Sequence, residues 1–221
     1  MNWVVTGANR GIGLALVSQI AARGDRVFAA CRSASKELEA LGKNVTVVSG
    51  VDVTSPEAAD AIKKALGGES IDVLLHNAGI LERNGIENLD VESVRRQFEV
   101  NALGPIRLTS ALLDRLKKGS KIAVVSSRVG SIADNGSGGH YGYRMSKAAL
   151  NMGAMSLTRD LAPRGIAVVV LHPGYVKTGM TGGSGNEDPE TAAKGLLGHI
   201  DRLTLENSGK FWHANGQELP W

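Results

Sequence analysis

The sequence predicts a single doubly wound α/β domain, a parallel sheet of about seven strands with helices on both faces. Short β-branched apolar runs alternate with longer segments of helical period, the pattern of strands buried on both sides and joined by crossover helices. The loosest composition, two Gly/Ser segments at 134–142 and 179–187, falls after strands, where such sheets carry their functional loops. At 221 residues the chain can bury a substantial core yet falls short of two comfortable domains.

The strands read as Trp3 to Thr6, Arg26 to Cys31, Val45 to Ser49, Ile71 to His76, Lys121 to Ser126, Ile166 to Leu171 and Lys210 to Trp212. Helices are expected over 11–23, 55–66, 91–117, 143–161 and 189–202, with a weaker one over 34–41. Ser55-Pro56 and Asp188-Pro189 are start signals, a capping residue followed by proline at the first helical position. No linker or repeat divides the chain, so residues 1–118 read as a dinucleotide half and 119–221 as a catalytic and substrate half of one unit.

Hydrophobic residues make up 43% and charged residues 21%, and no apolar run approaches the ~20 residues a membrane span needs. Met1 leads directly into a buried-strand pattern and then a glycine turn, which is unlike a secretory leader. The lone Cys31 cannot form an intrachain disulfide or a cysteine zinc site, which fits a cytoplasmic protein. The net charge of +3 is scattered instead of clustered, so nucleic acid is not an expected partner. The five histidines stand at no metal-ligand spacing, and no metal is expected.

Directly after the first strand comes Thr6-Gly7-Ala8-Asn9-Arg10-Gly11-Ile12-Gly13, then a helix with apolar period. Glycines there permit a tight turn and close approach of backbone to a pyrophosphate, which the helix N-terminus also attracts. The acidic residue that would hold an adenosine ribose at the end of the second strand is absent, and Cys31-Arg32 stand in its place. Arg32 with Arg10 suits a 2′-phosphate, so NADP(H) is preferred over NAD(H), which stays possible. Asp52 and Val53 after the third strand are placed to meet an adenine, and Asn77-Ala78-Gly79 ends the fourth strand where ligands gather.

Tyr143 and Lys147 stand four apart, on one face of a helix. Bringing a phenol of pKa ~10 to about 7 needs roughly 4 kcal/mol of preference for the phenolate. An ammonium at about 4 Å in an effective dielectric near 20 supplies that order, and an oxidised nicotinamide adds positive charge. Tyr143 can then exchange a proton with a carbonyl or alcohol oxygen. Tyr141, six residues before Lys147, has the wrong spacing for the same face. Ser127, preferred over Ser126 at the end of the fifth strand, reads as an orienter of the substrate oxygen, with no nucleophile-elbow spacing around it.

Together these motifs resemble the short-chain dehydrogenase/reductase family, through the TGxxxGxG turn, the NAG triplet, a helix Asn, a strand-end Ser and YxxxK. The resemblance covers nearly the whole chain. It implies a Rossmann-type sheet of order 3-2-1-4-5-6-7, and a catalytic tetrad of Asn101, Ser127, Tyr143 and Lys147 in which Asn101 holds a water linking Lys147 to solvent. It implies cofactor contacts at Gly7, Asn9, Arg10, Gly11, Ile12, Gly13, Arg32, Asp52, Val53, Asn77, Ala78, Gly79, Tyr143 and Lys147. After the sixth strand it adds Pro173, Gly174, Val176 and Thr178.

The His172 to Thr178 segment and the Phe211 to Trp221 ending look like the C-factor and sniffer-type carbonyl reductase branch. That branch implies a small-molecule carbonyl or alcohol substrate (an aldehyde, ketone or quinone) and a homodimer or tetramer. C-factor likeness leaves a dinucleotide-binding signalling or redox-sensing protein as the alternative. Ser127 precedes Tyr143 by a longer gap than the family's usual one, so 133–140 reads as an insertion beside the site, and 178–188 as a lid.

Overall fold

The computed structural model describes residues 1–221. Its seven strands are β1 (Asn2–Thr6), β2 (Arg26–Ala30), β3 (Val45–Val48), β4 (Ile71–His76), β5 (Leu116–Val125), β6 (Ala167–His172) and β7 (Phe211–His213). They form one sheet of order β3-β2-β1-β4-β5-β6-β7 with every pair parallel, the doubly wound order expected. The helices are α1 (Gly11–Ala22), α2 (Lys36–Glu39), α3 (Ala58–Leu66), α4 (Val91–Phe98), α5 (Gly104–Ala111), α6 (Tyr141–Leu161) and α7 (Pro189–Asp201).

Both sheet faces are buried, so strand residues alternate between two apolar cores. Trp3 and Val5 pack with Leu16, Ile20, Leu196 and Ile200 of α1 and α7. Val4 faces the opposite core with Ile62, Leu108 and Leu150 of α3, α5 and α6. Each large side chain so buried contributes roughly 1.5–3 kcal/mol. No helix is long and apolar enough to cross a membrane.

The helix expected over 91–117 is the main departure. α4 passes through a π turn at Glu99–Leu103 into α5, which ends at Ala111. Leu116 already pairs with Ile71 of β4, and a bulge carries the chain to Lys121, where regular pairing resumes. Leu112 and Leu116, both buried, sit where a continuing helix would bury them. Period alone therefore hides the change of element. α3 starts at Ala58 instead of 55, after a Ser55-Pro56-Glu57 turn, and α6 starts two residues early, so Tyr141 belongs to it.

The 178–188 segment is clasped at its base. Lys177 N–H donates to Glu187 O at 2.9 Å and Asn186 N–H to Tyr175 O at 2.7 Å. Asp188 then caps α7 through the Thr191 N–H.

Candidate active site

Parallel strands bring their carboxyl ends to one edge, so the loops after β1, β4, β5 and β6 converge there. At β1 the chain turns through Gly7 (φ +67°) and Gly11 (φ +53°), conformations that favour glycine. A Cβ on Gly7 would stand 2.8 Å from Ala78 Cα, and one on Gly13 2.0 Å from Gly7 O, so no other residue fits the turn. Asn77 stitches it to β4, its Nδ2 donating to Thr6 O and Gly7 O at 3.1 Å. Thr6 Oγ1 accepts from the N–H groups of Asn77 and Ala78. Thr6 and Asn77 thus shape the cradle, and Thr6, which opens the TGxxxGxG motif, does so through a hydroxyl role that the motif does not itself state.

The first turn of α1 has no side-chain cap and no acidic residue. Its free N–H groups and partial positive charge suit a phosphate. Asn9 Nδ2 donates to Ser33 O at 2.9 Å, tying the glycine turn to the segment that carries Arg32. Arg10 and Arg32 are exposed and no carboxylate pairs with either. Asp52 accepts from the Thr54 N–H and hydroxyl, which hold its pKa below the usual carboxylate range, with Arg32 adding to the effect. Val53 is buried, with its side chain 3.1 Å from where a Cβ on Gly104 would stand. A dinucleotide with an extra phosphate therefore fits the residues present.

The reacting end is built on α6. Lys147, 4% exposed, donates through Nζ to Val125 O at 2.9 Å and lies 5.7 Å from the centre of the Tyr143 ring. Ser127 stands at the head of a short turn, Arg128–Gly130. Gly130 lets that turn press against α6, since a Cβ there would fall 2.8 Å from Lys147 Cβ. Burial raises the Tyr143 phenol pKa, and the neighbouring Ser127 hydroxyl opposes that rise in part. Ser126 is otherwise engaged, buried and donating to Asn151 Oδ1 at 2.6 Å.

Charge behaves differently from the expectation. Burial dominates and pushes the Tyr143 phenol up to about 12, while the same desolvation brings Lys147 down to about 8. In the protein alone the ammonium is held toward the Val125 carbonyl, so the lowered phenol inferred from helical spacing is corrected. The phenol keeps its proton.

Asn101 is fully buried in the π turn, a distortion that often marks functional helices. Its Oδ1 accepts from Ile80 N–H at 2.8 Å, and its Nδ2 donates to Ile80 O at 2.9 Å and to Ser146 Oγ at 3.0 Å. Ser146 passes the link on, donating to Tyr143 O at 2.8 Å. Gly79 sits between Asn101 and Lys147, its Cβ position 3.2 Å from Asn101 Oδ1 and 3.6 Å from Lys147 Nζ.

After β6, Gly174 (φ +93°) packs on His213, and Val176 is buried. Thr178 Cγ2 lies 3.3 Å from where a Cβ on Gly11 would stand, so the lid segment begins against the glycine turn. His76 is wholly internal, bonded through Nε2 to Thr109 Oγ1 at 2.8 Å.

A phosphate cradle beside a Ser–Tyr–Lys cluster, half-buried at Ser127 and Tyr143 and buried at Lys147, on a doubly wound sheet defines the class of nicotinamide-dependent oxidoreductases. The chain belongs to the short chain dehydrogenase family, whose model matches residues 2–189. It is 43% identical to 1-hydroxy-2-glutathionyl-2-methyl-3-butene dehydrogenase of Rhodococcus sp. (strain AD45), over 99% of this chain and 98% of that one. It is 45% identical to C-signal of Myxococcus xanthus, over 68% of this chain and 93% of that one. The carbonyl reductase Sniffer of D. melanogaster superposes with a TM-score of 0.92 at 32% identity, over 100% of this chain and 99% of that one. An NADPH-bound carbonyl reductase from chicken fatty liver gives 0.88 at 32%, over 100% and 98%.

Proposed function

We propose that the protein is an NADP(H)-dependent carbonyl reductase in which Tyr143 gives a proton to the substrate oxygen. The observation that carries this reading is the meeting of Ser127, Tyr143 and Lys147 at the carboxyl edge, beside the glycine cradle. Bound NADPH supplies the hydride that reduces the carbonyl carbon. Ser127 orients the oxygen, and Lys147 holds positive charge beneath the ring and faces the cofactor ribose.

Asn101 holds the Ile80 backbone and, through Ser146, the first turns of α6, so it keeps Lys147 and Tyr143 in place and supports a proton relay. A phenol with pKa near 12 carries its proton at neutral pH, which is the form that reduction consumes. Arg10 and Arg32, unpaired beside the cradle, favour the 2′-phosphate of NADP, and the NADPH-bound structural neighbour supports the same choice. The cofactor contacts are those of the Gly7 to Gly13 turn, Arg32, Asp52, Val53, Asn77 to Gly79, and Pro173 to Thr178.

The test is a panel of aldehydes, ketones, quinones and glutathionyl carbonyls, followed by NADPH absorbance. Tyr143→Phe should lower turnover by about 10²–10⁴-fold while leaving NADPH binding intact, and undiminished turnover would overturn the assignment. A homodimer through the outer face of α6, where Met145 and Met152 are exposed, goes with this reading; sedimentation tests it.

A further inference from the structure

Beside the start of α6 lies a cavity of about 500 Å³ lined by Arg83, Asn84, Asn88, Ser137 and His140 together with glycines. Small-molecule pockets of this size are usually walled by apolar and aromatic side chains. Here no lining side chain is apolar and none is acidic.

Its groups are mostly donors without a protein partner, open to solvent except at Asn84, which is buried, and Gly85, which is half-buried. No carboxylate pairs with Arg83. Asn88 spends its carbonyl oxygen on the Gly85 N–H, which leaves its amide hydrogens free. Asn84, 6% exposed, makes two long bonds, accepting from Gly142 N–H at 3.3 Å and donating to Ser93 Oγ at 3.4 Å. A buried primary amide can make four, so its capacity is half used. Ser137 accepts from Arg144 at 2.7 Å and keeps its own proton to give. α6 itself begins without a side-chain cap.

The cavity is also close to the chemistry. His140 immediately precedes α6, and Asn84 in the cavity wall accepts from the N–H of Gly142, the residue before Tyr143. Arg144 braces the far wall, bonding Val129 O and Gly138 O from the helix turn that carries Tyr143.

We propose that this cavity binds a carboxylate-bearing polar arm of the substrate, so that the carbonyl presented to Tyr143 is attached to an amino-acid or short-peptide acid. A carboxylate gains charge-assisted hydrogen bonds from Arg83 and the amides, whereas an alkyl or aryl arm gains nothing from such walls. What the arm carries rests on the reductase reading above; the arm's own site does not.

S-Methylglutathione, a peptide thioether with two carboxylates and no reacting carbonyl, probes the site directly by titration calorimetry on the full chain. Saturable binding is expected, weakened about tenfold or more by esterifying both carboxylates and to a similar degree by Arg83→Glu. Arg83→Glu should reduce a small neutral aldehyde as the parent protein does. Absent binding, equal binding of the diester, or binding indifferent to Arg83→Glu overturns the inference. Binding that depends on Arg83 with no carbonyl reduced upholds it and removes the reductase reading instead.

Discussion

Lys147 Nζ donates to the carbonyl oxygen of Val125 at 2.9 Å, fixing the only ammonium of the site to the last residue of β5. The contact aims Lys147 at the cost of burying a charge, and desolvation lowers its pKa to about 8. In the unfolded chain the value is ~10.4. Below about pH 8 both states are protonated and the folded state carries the full penalty. Between about 8 and ~10.4 the unfolded chain binds the extra proton, so stability rises with pH across that window.

Lys147→Met should therefore stabilise the fold while abolishing reduction. The relieved penalty is on the order of 3 kcal/mol, offset by ~1 kcal/mol for the lost hydrogen bond. That corresponds to a midpoint about 4–8 °C higher at pH 7 and a smaller gain near pH 10, read by thermal denaturation. An unchanged or lower midpoint at pH 7 would show that the buried ammonium costs nothing.

Gly130→Ala should disturb chemistry from outside the reacting groups. The added methyl would meet Lys147 Cβ and carbonyl carbon at 2.8 Å, so the Arg128–Gly130 turn must move off α6 and take Ser127 with it. Overpacking of this kind costs about 1–3 kcal/mol. Turnover should fall at least about tenfold, because a displaced orienter loses its geometry, and cofactor affinity should be unaffected. Steady-state kinetics alongside NADPH titration separate the two; matching losses in both would mean the whole edge had shifted.

Arg32→Asp tests the cofactor choice. The exposed guanidinium follows β2 and shares the edge with Asp52, whose pKa it helps to lower. An aspartate there would accept from ribose hydroxyls and repel a 2′-phosphate. The ratio of kcat/KM for NADPH over NADH should drop by about tenfold or more. A ratio that stays put assigns the preference elsewhere, with Arg10 the first place to look.

These positions differ in how far sequence reveals them. The strands and the glycine turn are legible because they depend on local apolar runs and on conformations that glycine satisfies, whereas the sheet order is reached only through the family resemblance. Tyr143 and Lys147 are legible for a similar reason, since one helical spacing sets their common face. The π turn at Glu99–Leu103 is not, as nothing in Glu-Val-Asn-Ala-Leu departs from helical propensity; the Asn101 bonds to Ile80 and Ser146 exist only once β4 and α6 flank it. The phenol's raised pKa escapes for the same cause. Spacing predicts a neighbouring charge, but burial is set by the whole packed edge.

His76 supplies a test of acid stability that bypasses the active site. It is buried, its Nε2 bonds Thr109 Oγ1 at 2.8 Å, and desolvation pushes its pKa down to about 3; His172 is lowered to about 3 as well. Both are neutral in the folded protein and titrate near ~6.5 when unfolded. Their stability contribution is complete above ~6.5 and is lost as pH falls toward 3, by up to about 1.4 kcal/mol per pH unit for each histidine. Denaturant midpoints should decline steadily from pH 7 to pH 4. His76→Gln keeps a polar partner for Thr109 without a titrating group, so it should flatten roughly half of the histidine share of that slope; an identical pH profile in the variant would assign the acid sensitivity to other groups.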